Sequence, residues 1–72
     1  MEKISIKDDY IKLGQALKLA GLVDSGLDAK TFIQEGKVKV NGKTEIQRGK
    51  KIVSGDIITF QDHQVEVFSN DN

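Results

Sequence analysis

Seven cations fall within twenty-two residues of this chain. Lys30, Lys37, Lys39, Lys43, Arg48, Lys50 and Lys51 are opposed there by Glu35 and Glu45 alone, a net +5, while the remaining residues carry −5, so a formal charge of zero hides a basic middle. A ligand meets a local surface rather than an average, because salt screens charge over about 8 Å at physiological ionic strength. The chemistry such a segment can do is neutralisation of a polyanion, and the phosphate backbone of a nucleic acid is the commonest one. A second reading also fits these residues: lysines on a solvated face often confer solubility and nothing more. The binding reading requires the seven to converge on one side of the folded chain.

Two neighbouring features add hydrogen-bond donors. Ser25-Gly26 opens a helical pattern, and the bare N–H groups of a helix start suit a phosphate. An ordinary cap explains the same residues. Arg48-Gly49-Lys50-Lys51 holds the chain's one arginine, whose guanidinium can grip a phosphate with two parallel bonds. A plain charged loop is the alternative. Gln34 follows Lys30 by one helical turn and is a further candidate for a sugar or base contact, and Asn41, in a turn, can offer a hydrogen bond as Ser25 and Gly26 do at the helix start.

Other chemistry finds little footing. There is no cysteine, and His63 is the sole histidine, placed by its surroundings in a turn at Asp62-His63. A zinc site or a catalytic base is therefore not expected. No glycine-rich phosphate fingerprint, nucleophile elbow or paired acid and base occurs. Asp8-Asp9 reads as a strand-end turn rather than a magnesium site. The four aromatic residues, Tyr10, Phe32, Phe60 and Phe68, are too few for a run of stacked bases. We expect no enzyme, no cofactor, no metal and no small-molecule substrate.

The elements that must position the cations follow from periodicity. Lys3 to Lys7 alternates polar and apolar residues, as a short strand does. Leu13, Ala16, Leu17 and Ala20 recur at helical spacing, with Lys12 and Lys18 off that stripe and Gly21 as its stop. Ser25 with Asp28 three residues later forms a capping pattern for a second helix, whose buried stripe is Ala29, Phe32 and Ile33 and whose breaker is Gly36. Lys37-Val38-Lys39-Val40 then alternates, so its two lysines share a side, and Lys43 sits just beyond the turn. Asn41-Gly42 is a strong two-residue hairpin signal, because both positions tolerate positive φ. Ile46 begins or ends the return strand. Arg48 to Lys51 is a loop, Ser54-Gly55-Asp56 a turn, and Ile57 to Phe60 and Val65 to Phe68 are strands. Ser69 to Asn72 reads as a polar tail.

This pattern resembles the S-four RNA-binding domain family, named for ribosomal small-subunit protein four, over Lys12 to Phe60. Lys12-Leu13-Gly14-Gln15-Ala16-Leu17 matches the family's opening in part; Ser25, Ala29 and Lys30 match its second helix; Ile33, Gly36, Val38 and Val40-Asn41-Gly42 match its hairpin; Gly55-Asp56-Ile57-Ile58 matches its close. Gly14 stands where the family has an acid, and Gly26 where it has a basic residue. The overall pattern is most similar to small stand-alone bacterial members. The resemblance implies the alpha-L motif and a role on ribosomal RNA or in ribosome assembly.

The expectation is an α+β fold, with two short helices packed on a small, bent, mainly antiparallel sheet of four to five strands. Residues 1–72 form a single domain with its core over about 10–61. Its function is to bind structured RNA through Ser25, Gly26, Lys30, Gln34, Lys37, Lys39, Asn41, Lys43, Arg48, Lys50 and Lys51, in ribosomal RNA or on ribosomal particles. The alternative is an adaptor that docks on a ribosomal or assembly-factor protein. The first twenty residues lack the apolar run of a signal peptide, and no stretch is apolar enough to span a membrane, so a cytoplasmic location is expected.

Overall fold

A computed structural model describes residues 1–69. The elements run β1 (Glu2–Ile6), β2 (Ile11–Lys12), α1 (Leu13–Leu19), α2 (Gly26–Gln34), β3 (Val38–Val40), β4 (Lys43–Thr44), β5 (Lys51–Ile52), β6 (Ile57–Phe60) and β7 (His63–Ser69). Five strands form one sheet in the order β1-β7-β6-β3-β4, and β2 and β5 form a separate antiparallel pair. Within the larger sheet β1 runs parallel to β7 and every other pairing is antiparallel. This is the expected α+β architecture. The β2–β5 ladder is new, since two-residue strands leave no readable alternation.

Alternation decides which face is buried. Ile4, Ile6, Val38, Val40, Ile58, Phe60, Val65 and Val67 turn inward, joined by Leu13, Ala16 and Leu17 of α1 and Ala29 and Ile33 of α2. Phe32, expected in the buried stripe, is half-buried and packs its ring against Phe60 at 5.0 Å between centroids. No helix among the described residues is long and apolar enough to cross a membrane.

Helix α1 has seven residues, too few to hold itself in water. Its fully buried leucines supply tertiary support, and its N-terminus is completed from outside. Lys12 gives no side-chain cap; instead the N–H groups of Leu13 and Gly14 donate to the carbonyls of Lys50 (2.9 Å) and Arg48 (3.0 Å). The loop that carries the basic residues is therefore stitched to the start of α1. Both helices end in paired bonds around a left-handed glycine. At Gly21 (φ 76°) the N–H groups of Gly21 and Leu22 donate back to Lys18 and Leu17, and at Gly36 (φ 79°) those of Gly36 and Lys37 donate back to Ile33 and Phe32.

Several boundaries differ from the expected ones. The strand after the hairpin is only Lys43–Thr44, and Ile46 lies outside it, 60% exposed, because the chain leaves the sheet to reach α1. Lys51 is not in a loop but opens β5. The last turn is Gln61-Asp62, with Gln61 at φ 56°, so His63 is not in a turn: it is the first residue of β7, opposite Phe60. Ser69 closes β7 rather than opening a tail; the rest of that expected tail, 70–72, lies outside the described residues.

Candidate nucleic-acid interface

The stitching of the 48–50 loop onto α1 builds a hollow of about 320 Å³ lined by Lys12, Gly14, Gln15, Lys18, Gly26, Arg48 and Gly49. Three cations from separate parts of the chain face it, and no carboxylate is among the described residues lining it. Lys51 adjoins this group, since it lies directly across the β2–β5 ladder from Lys12, and opposed residues share a face. Lys50 sits between, its carbonyl held by Leu13. Lys12 and Lys18, which line the hollow, were not among the expected contacts: they stand outside the dense segment, and only their placement off the apolar stripe of α1 hinted that they face solvent.

Gly26 contributes the first residue of α2 to this hollow. Ser25 Oγ accepts the N–H of Asp28 at 3.1 Å, so the serine serves as a cap. A Cβ at Gly26 would meet nothing within 4 Å, which leaves the helix start open to approach. Lys30 and Gln34 follow at four-residue steps and continue the same face of α2. Lys30 is half-buried and Gln34 exposed.

Gly14 sets the fit between loop and helix. A Cβ there would stand 3.7 Å from the Arg48 Cβ and 3.8 Å from the Ala29 Cβ, an ordinary contact distance. A carboxylate grafted at this position would therefore lie beside Arg48. With glycine instead, Arg48 takes part in no ion pair among the described residues; Lys37 pairs with Glu35 at 3.3 Å, and His63 Nδ1 lies within hydrogen-bond distance of Glu2 Oε2 at 3.2 Å.

The hairpin lysines are arranged differently. Lys39 lies on the outer face of the sheet in a row with Thr44, Thr59 and Gln64. Lys43 is opposite Val40 and so belongs to the other face, at the sheet edge. Lys37 is held by the Glu35 carboxylate and by the Phe32 ring, whose centroid is 5.7 Å from its Nζ. The seven cations thus do not converge on one uninterrupted patch, because a two-residue turn returns the chain with its side-chain parity reset and a carboxylate stands beside one lysine.

Asn41 has a structural task. It takes the left-handed φ of 53° that the turn needs, its Nδ2 donates to Asp56 Oδ1 at 2.9 Å, and its Oδ1 accepts the N–H of Ile57 at 2.9 Å. Asp56 in turn accepts the N–H of Val53. The hairpin and the 53–57 turn are locked together through these two side chains. Among the described residues no group of three or more His, Asp or Glu is placed to hold a metal ion.

Comparison with known proteins bears on the family and the fold. A family model described as S4 domain matches residues 4–68. The chain is 43% identical over 61 residues to YbcJ of Escherichia coli K12, covering 85% of this chain and 87% of that protein. It is 43% identical over 58 residues to the probable ribosome maturation protein RlbA of Bacillus subtilis, covering 81% and 82%. The solution structure of YbcJ, described as revealing an alpha-L motif involved in RNA binding, superposes with a TM-score of 0.73 at 40% identity and covers 94% of this chain and 87% of that one.

Proposed function

The chain belongs to the S4 domain family, and from that premise we propose that residues 1–72 act as one RNA-binding domain that grips structured RNA by its backbone. The observation that carries this reading is the hollow at the start of α1, where Lys12, Lys18 and Arg48 face the open end of α2 without a lining carboxylate. Phosphates entering it meet three cations and the N–H groups of a helix start. Lys50 and Lys51 extend the positive surface on one side, and Lys30 and Gln34 extend a polar line along α2. Ser25 frames the helix start; Lys37, Lys39, Lys43 and Asn41 lie on or beside the hairpin, where Lys39 is the best placed to meet a second stretch of backbone. A-form RNA presents phosphates and 2′-hydroxyls across a shallow groove, so such contacts need little sequence reading.

The kinship with RlbA supports ribosomal RNA or an assembling ribosomal particle as the partner. No catalytic step belongs to this reading. Titration of a structured ribosomal RNA fragment over a range of salt tests it. With about five phosphates neutralised, log K falls against log salt with a slope of roughly −3.5 to −4.5. A slope near zero, or a ribosomal association that survives complete nuclease digestion, replaces the RNA reading with the protein-adaptor one.

A further inference from the structure

A second, larger groove adjoins the hollow along α1. It measures about 590 Å³ and is bordered by Tyr10, Ile11, Gln15 and Leu19, with Lys7 and Lys18 at its rim. Two of its apolar lining residues are open to solvent: Tyr10 is 41% and Leu19 54% exposed. Lys51 Nζ stands 4.8 Å from the centroid of the Tyr10 ring. Gln15 and Lys18 border both this groove and the basic hollow, so the two sites are continuous across one face of a two-turn helix. Asp8 also borders the groove.

An aromatic face, an apolar floor, one amide and a cation shared with a phosphate site are what a single unstacked nucleotide requires. The base stacks on the ring, the amide and carboxylate meet its polar edge, and the cation takes its phosphate. A duplex cannot use such a groove, since its bases are already stacked. We propose that the Tyr10 groove receives one extruded RNA base adjoining the segment held over the start of α1. This rests on the RNA-binding reading and narrows it: the preferred target is a helix interrupted by a bulge, not a continuous duplex. Asp8 accepts hydrogen bonds only, which favours a base that carries an amino group.

Two RNA hairpins test it, one fully paired and one identical but for a single bulged cytidine. The bulged hairpin binds about tenfold more tightly, the scale of one base–aromatic stack. It also quenches the fluorescence of Tyr10, which is a clean reporter because the chain has one tyrosine and no tryptophan. Tyr10→Leu keeps apolar bulk but removes the stacking face; it abolishes the tenfold preference and leaves affinity for the paired hairpin within twofold. Leu19→Glu, which charges the floor, abolishes the preference in the same way, and circular dichroism verifies that both variants are folded. Equal affinity of the unaltered protein for the two hairpins overturns the proposal while leaving RNA binding intact, and then a peptide segment of a partner becomes the better occupant. Failure to bind either hairpin at low salt overturns the RNA reading itself. A preference for the bulge that survives both substitutions also overturns the proposal, because the base then sits elsewhere.

Discussion

The start of α1 and the β3–β4 hairpin are both rich in cations, yet they present them in opposite ways. Around α1, Lys12, Lys18, Arg48 and Lys51 come from positions up to 39 residues apart and meet at one hollow and its border. In the hairpin, Lys37, Lys39 and Lys43 lie within seven residues and end up beside a carboxylate, on the outer face, and on the opposite face at the edge. Density along the chain and density on the surface are different quantities. A strand disperses its charges by parity, whereas a loop pinned to a helix end gathers charges from wherever the fold brings chain together.

The comparison ranks the cations, and the largest effect is expected at α1. Reversing Lys12 and Lys18 together to Glu lowers RNA affinity by at least about a hundredfold in titrations at low salt, since each contact to a charged group is worth ~1.5–3 kcal/mol. A loss below threefold removes the hollow from the interface. Next comes a change in stability rather than affinity. Asn41→Ala deletes two hydrogen bonds and places a less suitable residue at φ 53°, so urea unfolding shows a loss of about 2 kcal/mol. RNA affinity of the folded variant is unchanged; a matching drop in affinity at full folding would instead place Asn41 against the ligand.

Gly14→Glu tests the gathering principle from within. The new carboxylate lies beside Arg48 and lowers affinity about fivefold at low salt, less as salt rises. Gly14→Ala is the control: it leaves affinity alone and stabilises the short helix by roughly 0.5–1 kcal/mol. If the two variants bind RNA equally, Arg48 has no part in the contact. The smallest effect belongs to the hairpin. Lys37→Glu with Lys39→Glu weakens binding about threefold without unfolding, consistent with exposed charges away from the main contact, and Lys43→Glu changes it by less than twofold. A hairpin loss as large as that of the α1 pair would invert the ranking.

Much of this was legible before any coordinates. The Ser25 cap, the Gly21 and Gly36 stops and the Asn41-Gly42 turn each depend on a few adjacent residues, and each appears where it was expected. The strands of the large sheet announced themselves by alternation. The β2–β5 ladder did not, because two residues show no period, and with it went the chance to see Lys12 facing Lys51. The turn signal at Asn41 did not show that its side chain reaches Asp56, fifteen residues along the chain. The carbonyls of Arg48 and Lys50 that cap α1 left no mark in sequence, since any residue has a carbonyl.

By itself, the order of residues determined the two helices, the Asn41-Gly42 turn, most of the buried stripes and the family, all consequences of short-range sterics and of which side chains water rejects. It also established that a strongly basic stretch exists. Tertiary structure alone decided where that charge comes to the surface. Coulomb attraction acts across space and is screened within about 8 Å, so a phosphate responds to the cations that packing brings within that distance and not to those that are neighbours in the chain.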